Sequence, residues 1–231
     1  MTKVDEDYPD NKLSGAVFEV YSDTNGDGKL DKDDTLLGEM KELDGGVYQM
    51  SELRYGKYLV KETKAPTGFV LDENVYSVSV EENGKTYTVE NKAGVGFINA
   101  AQKGSLKIVK TSSDGKVEGF SFRVTGVDYD QTFKTDKNGE IVIEGLRIGD
   151  YTVSEVSDKA SAGYILPADK QATVKVNATA IVQMHNEFRD TPKTGDDFNL
   201  GLWVSLAALS VVGAGVLGFV GYKNRKKKKE D

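Results

Sequence analysis

Apolar and polar residues alternate along most of this chain. Tyr58, Val60 and Glu62 share one face of a two-residue repeat, as do Tyr151, Val153 and Glu155. Residues 75–80 and 172–176 alternate in the same way. A period of two marks a strand with one buried face. Glycine turns punctuate these segments: Asn83-Gly84 between Val80 and Tyr87 predicts a hairpin, and Asp114-Gly115 and Asn138-Gly139 break the later strands. No window outside residues 200–222 sustains a helical period. Short strands separated by glycine-rich turns predict an all-β chain built of sandwiches.

The pattern occurs twice. The block from Tyr48 to Glu62 reappears from Ile141 to Glu155, with Leu, Arg, Gly, Tyr, Val and Glu at the same internal spacing. Upstream, Leu13–Val20 matches Val117–Val124; downstream, Gly68-Phe69-Val70-Leu71 matches Gly163-Tyr164-Ile165-Leu166. Two tandem domains are expected, one over residues 1–101 and one over 102–189. The first carries an acidic insertion, 23–34, that the second lacks.

The tail breaks the alternation. Residues 190–199 form a polar linker with Pro and Gly, residues 200–222 contain no charge, and residues 223–231 begin with a run of Lys and Arg. At ~1.5 Å per residue, 200–222 is long enough for a helix to cross a ~30 Å hydrocarbon core. Trp203 and Tyr222 sit near its two ends, where amphipathic rings favour the interface. The cations that follow predict a cytoplasmic C-terminus with residues 1–199 outside. Within the linker stands Thr191-Pro192-Lys193-Thr194-Gly195. Pentapeptide, apolar span and basic end, in this order, resemble the LPXTG-type cell-wall sorting signal of Gram-positive surface proteins. That resemblance implies a sortase cutting between Thr194 and Gly195, after insertion of the precursor in the membrane. Thr194 would then pass to an amine of the peptidoglycan cross-bridge or of a pilin subunit. Thr191 stands where the family has Leu, so the sortase class is left open.

Charge narrows the partners. Six of the 30 Lys/Arg and two of the 37 Asp/Glu lie after Tyr222, which leaves the remainder at a net charge of −11. Such a surface does not neutralise phosphates, so nucleic acid is not an expected partner. The charged start, Met1 to Asp7, lacks the apolar stretch of an export signal, and a longer natural protein is expected. There is no cysteine in the chain. Small extracellular domains often rely on disulfides, so another staple is sought.

The blocks Leu-x-Gly-Ala-x-Phe, Tyr-x-Val-x-Glu and Glu62-Thr63-Lys64-Ala65-Pro66-Thr67-Gly68-Phe69 are similar to the CnaB-type, SpaA-like, prealbumin-like repeats of Gram-positive adhesins and pilins. The resemblance implies two Ig-like/prealbumin-like β-sandwiches ahead of one transmembrane helix. It also implies an intramolecular isopeptide bond joining a Lys of the first strand to an Asn of the last, with a Glu of a middle strand promoting it. In the second copy the matching residues are Lys110, Glu155 and Asn186. Each lies on the apolar side of its strand, with Leu106 and Ile108, Tyr151 and Val153, and Val182 and Met184. Burial there is expected to lower the Lys pKa and raise that of Glu. In the first copy Glu62 matches Glu155 and Lys3 is the nucleophile. Register favours Asn91 as its partner, with Asn99 as the alternative.

Two further features are weighed. Asp23, Asn25, Asp27, Asp31 and Asp34, with the carbonyl of Lys29, stand at the spacing of an EF-hand-type loop and suggest an extracellular Ca²⁺ site. The flanks read as strands rather than helices, and position twelve is Asp rather than Glu. A polar loop without metal accounts for the same residues. The lone histidine, His185, alternates away from Met184 and Asn186 and leaves no Ser-His-Asp arrangement. Tyr8-Pro9-Asp10-Asn11 has Asp10 where a polymerising pilin has its Lys. No enzyme activity on other molecules is expected. The expected role is a wall-anchored stalk of an adhesin or minor pilin, outside the cell. The alternative is a module that itself binds a host or matrix ligand, for which Tyr129 and Phe133 are candidate contacts.

Overall fold

A computed structural model describes residues 1–189, and every regular element among them is a strand. In the first domain these are β1 (Lys3–Asp5), β2 (Val17–Ser22), β3 (Thr35–Glu39), β4 (Lys41–Glu42), β5 (Tyr48–Gln49), β6 (Gly56–Lys64), β7 (Val75–Val80) and β8 (Phe97–Asn99). The second domain holds β9 (Lys103–Ser112), β10 (Ser121–Gly126), β11 (Tyr129–Lys134), β12 (Glu140–Arg147), β13 (Gly149–Val156), β14 (Tyr164–Ile165), β15 (Lys170–Val174) and β16 (Thr179–Phe188). The transmembrane helix and the sorting pentapeptide expected from the sequence lie outside the described residues. Among the described residues no helix is long and apolar enough to cross a membrane.

Two four-stranded sheets face each other in the second domain, in the orders β11-β10-β13-β15 and β12-β9-β16-β14. Strand alternation explains the core. Leu106 and Ile108 of β9, Val182 and Met184 of β16, and Tyr151 and Val153 of β13 all point inward and are buried. At the two central strands of the second sheet, β16 runs parallel to β9 and antiparallel to β14.

The first domain repeats one sheet fully, β3-β2-β6-β7. Its other sheet is present as pieces: a parallel pair β1-β8, a hairpin β4-β5, and a bridge between Thr2 and Val47 that connects them. Phe18, Val20, Tyr48, Val60 and Phe97 fill the space between. The Asn83-Gly84 turn forms as expected, with Gly84 at φ 74°, but residues 85–90 that follow it are not a strand, so no hairpin closes there.

At the junction of the domains Arg147, on the last residue of β12, reaches back to β1. Its guanidinium donates to both carboxylate oxygens of Asp5 at 2.6 and 2.8 Å and to Asp7 at 3.0 Å. It also lies over the ring of Tyr8, 4.8 Å from the centroid. The Asp5 side chain is only 3% exposed and that of Arg147 13%. Lys103 adds a second contact to Asp7 at 3.1 Å. The fork of a guanidinium matches a carboxylate in two parallel bonds, which fixes an angle as well as a distance.

Candidate functional site

Each domain sets one Lys, one Glu and one Asn against its apolar core, all buried except Glu155, which is half-buried. In the first domain these are Lys3, Glu62 and Asn99, each 3% exposed or less. Lys3 enters on β1, Glu62 on β6 and Asn99 on β8. The parallel β1-β8 register sets Lys3 opposite Phe97, so Asn99 stands two residues further along the same face. The Lys3 amine donates to Asn99 Oδ1, and the Asn99 amide nitrogen lies 3.1 and 3.0 Å from the two Glu62 oxygens. Lys3 Nζ and Glu62 are 3.4 Å apart. The second Glu62 oxygen also accepts the backbone N–H of Asp72 at 2.8 Å.

Register favoured Asn91 for this place, and the geometry assigns it to Asn99. Asn91 is held elsewhere: it donates to Asp72 and to the carbonyl of Ile98, both at 2.9 Å, and accepts the Ile98 N–H at 2.6 Å. The cause is a small loop, closed by a bridge between Lys92 and Gly96, that the second domain lacks. Gly96 makes the loop possible. It sits at φ 133°, and a Cβ there would come within 2.8 Å of the Thr2 carbonyl. The detour carries the chain past Asn91 before it joins β1, so a fixed offset from the second copy points to the wrong asparagine.

The second domain places Lys110, Glu155 and Asn186 by the same rule. Lys110 of β9 is opposite Met184 of β16, and Asn186 follows two residues later. Glu155 is opposite Phe122, as Glu62 is opposite Phe18. The Asn186 amide nitrogen donates to Glu155 Oε1 at 2.6 Å. The Lys110 ammonium lies 4.2 Å from the centroid of the Phe120 ring and donates to the carbonyl of Thr111. Among the described residues two buried side-chain atoms lack any hydrogen-bond partner, and they are Glu155 Oε2 and Asn186 Oδ1. A buried polar atom without a partner is costly, of order 1–3 kcal/mol. Here both fall on one site, facing the same lysine strand.

Desolvation dominates the electrostatics of both triplets. Burial pulls Lys3 down to about 8, against the opposing pull of Glu62 and Asp72. Lys110 is lowered for the same reason, with Glu155 and Asp114 opposing. Glu155 moves the other way: burial raises it, while the hydrogen bond from Asn186 and the charge of Lys110 hold it back. A lysine that gives up its proton easily, set with a carboxyl and a carboxamide, makes up the parts of an amide-forming site.

The remaining sequence candidates have other surroundings. In the 23–34 loop the carboxylates accept backbone N–H groups: Asp23 from Gly26 and Gly28, Asp27 from Lys29, and Asp34 from Thr24 and Asp31. Asn25 caps Asp27 and touches Asp31. Among the described residues no three Asp, Glu, His or Cys side chains converge as metal ligands would. His185 is exposed and bonded to Thr111 and Glu187. Tyr129 and Phe133 are half-buried and pack against the second core, so they do not form an exposed aromatic patch. The Arg147–Asp5 lock was not anticipated: the repeat marks Arg147, but its partner is 142 residues away. Residues 191–195 lie outside the described residues.

Comparison with known proteins follows the same outline. Among solved structures the chain is similar to the Bacillus anthracis TIE protein, at 25% identity and a TM-score of 0.58, over 81% of this chain and 33% of that one. It thus spans about a third of that protein's length. It is also similar to GBS52, the minor pilin of Streptococcus agalactiae (18% identity, TM-score 0.35, 79% of this chain and 86% of that one). A third is the pilus adhesin SpaC of Lactobacillus rhamnosus GG (14% identity, TM-score 0.48, 81% and 31%). No curated protein matches the chain. The SpaA model, a prealbumin-like fold domain, matches twice, over residues 1–93 and 104–188. With both copies matched and both sandwiches in place, the chain belongs to the SpaA family of prealbumin-like fold domains.

Proposed function

We propose that this chain is the self-cross-linked stalk of a Gram-positive surface protein, either an adhesin or a minor pilin. The observation that carries the reading is the Lys-Glu-Asn triplet set against the apolar core at matching positions of both domains. In the reaction the neutral lysine Nζ attacks Cγ of the asparagine, a C–N bond forms, and the asparagine nitrogen leaves as ammonia. The glutamic acid lends its proton to the carboxamide as the tetrahedral centre forms and takes up a lysine proton that departs with the ammonia. Lys3–Asn99 and Lys110–Asn186 are the two bonds. The catalysis is spent on the chain itself and no other substrate is implied.

The tail supplies the second half of the reading. Thr191-Pro192-Lys193-Thr194-Gly195 would be cut by a sortase and joined through Thr194 to a cross-bridge or pilin amine, leaving both domains outside the cell. A chain without cysteine that projects into the medium gains from bonds that reductants cannot break.

Intact-mass spectrometry of the full chain tests the cross-links. The expected mass is below the sequence mass by two ammonias, and Glu62→Ala and Glu155→Ala each restore one. An unmodified mass for the parent chain overturns the reading.

A further inference from the structure

Asn91, displaced from the triplet, is bonded at both polar atoms of its side chain. Its Oδ1 accepts the N–H of Ile98 at 2.6 Å, and its Nδ2 donates to the Ile98 carbonyl at 2.9 Å. The second Nδ2 hydrogen goes to Asp72 Oδ2, also at 2.9 Å. Ile98 is the central residue of β8. Its neighbours turn their backbone groups to β1, the Phe97 N–H to the Thr2 carbonyl and the Asn99 carbonyl to the Glu6 N–H. The Ile98 groups therefore face away from β1, and the Asn91 carboxamide occupies that free edge as a neighbouring strand would. Asp72 continues the chain of contacts. Its carboxylate also accepts the Tyr76 hydroxyl at 2.7 Å and the Asn74 N–H at 3.0 Å, and its own N–H donates to Glu62 Oε2 at 2.8 Å. Because Glu62 accepts the Asn99 amide, the contacts close into a ring that runs from Asn99 through Glu62, Asp72, Asn91 and Ile98 back to Asn99.

The second domain closes no such ring. By the repeat that pairs Leu71 with Leu166, Asp72 falls at Pro167, which has no N–H to give. Glu155 Oε2 and Asn186 Oδ1 are left without partners, and the Lys110 amine donates to the Thr111 carbonyl rather than to the asparagine. Where the ring is closed, lysine, asparagine and glutamate bond to one another; where it is open, the lysine turns aside. We propose that Asp72 and Asn91 are positioning residues for the Lys3–Asn99 bond: they fix the Glu62 carboxyl and the Asn99 backbone against each other, in place of the long ladder that orients Asn186. The role rests on the bond proposed above. Asp72 also leaves an electrostatic signature. Burial lowers Lys3, and the negative charges of Glu62 and Asp72 oppose that lowering.

The full chain, refolded from its unbonded form, is followed by time-resolved mass spectrometry with mapping of the two cross-linked peptides. Asn91→Ala should slow Lys3–Asn99 closure by about 10²-fold, as for a reacting group displaced by ~1 Å. Lys110–Asn186 closure in the same molecules should keep its rate. Asp72→Asn keeps the backbone N–H for Glu62 and an oxygen for Asn91 but removes the charge. The pH at which first-domain closure levels off should therefore fall, a shift that loss of packing alone would not produce. Hydrogen exchange of the β6 amides reports whether the first domain is folded, and Asp72→Asn decides the matter if Asn91→Ala is not. A parent chain that closes at Lys3–Asn99 and an Asn91→Ala chain that closes as fast overturn the positioning role alone. An Asp72→Asn profile that superposes on the parent's does the same. A parent chain that never loses that ammonia overturns the bond and the positioning role together.

Discussion

One domain of this protein is a complete sandwich and the other is the same sandwich with half of one sheet in fragments. The second domain carries two four-stranded sheets, and its first and last strands run side by side in register from Ser105 to Ser112. The first domain keeps only three residues of each, Lys3–Asp5 against Phe97–Asn99. Yet those three residues include both ends of the candidate cross-link. What is retained where the ladder is shortest is the pair that would be joined covalently. The proposed cross-link would join β1 to β8 beside a three-residue ladder in the first domain and β9 to β16 beside an eight-residue ladder in the second.

That contrast is broken or sharpened first by blocking the bonds singly. The residues that the proposed bond would join in the first domain are 96 apart. By the chain-entropy account of any covalent closure, a loop of that length contributes about 4–5 kcal/mol. Glu62→Gln keeps the side-chain shape and removes the proton-carrying group. It should lower the melting temperature of the first domain by on the order of 20 °C. Glu155→Gln should cost the second domain a comparable entropy but leave it folded, since its second sheet is continuous. Calorimetry on the two variants, with mass spectrometry to verify the missing bond, separates the transitions. A first domain that stays folded after losing its bond, as the second is expected to, would show that the fragmentary sheet is not what makes it depend on that bond.

The junction is the next test. Asp5 belongs to the same three-residue strand as Lys3, so the lock to Arg147 draws on a ladder of only three pairs. Asp5→Ala leaves a guanidinium that is largely buried without its main partner. Breaking a buried pair from one side costs about 3–5 kcal/mol. The loss should appear as uncoupling: two independent melting transitions and independent tumbling of the domains in NMR relaxation. Asp7, more exposed, still touches Arg147 and Lys103, so the lower end of that range is expected. If the domains still melt and tumble as one, the fork is not what fixes their angle.

The strands were legible from alternation alone. The triplet of the second domain was named through the family resemblance, and alternation agreed with it, because its strands are long and unbroken. The first domain resisted the same reading for a physical reason. The Lys92–Gly96 loop shifts register between Asn91 and Asn99, and a loop that returns on itself leaves no trace in a period-two pattern. Long-range pairs such as Asp5–Arg147 are illegible for another reason: nothing in the local pattern of either residue announces its partner. The 23–34 loop leaves both readings of its spacing standing, since carboxylates at ligand intervals also suit turns that bind their own backbone N–H groups. Neither the fold nor the triplets needed the tail, which carries the anchoring half of the proposal on sequence alone.

Proton chemistry offers the finest comparison of the two sites. Burial lowers both lysines, and Lys3 reaches about 8 from an ordinary value of 10.5. Only the neutral amine attacks, so bond formation in freshly refolded first domain should quicken about tenfold per pH unit below that value and level off above it. Burial lowers Lys110 as well, so bond formation in the second domain should likewise quicken as pH rises. The same shift gives the sign for unreacted protein. Between about 8 and 10.5 the unfolded chain holds a proton on Lys3 that the folded chain has lost. Stability of the unbonded form therefore rises with pH across that window and is lowest below it. Closure removes the titrating amine, and with it this dependence. Time-resolved mass spectrometry across a pH series reads both rates in one sample, and a rate that does not rise with pH would show that the lysine of that domain is not the attacking amine.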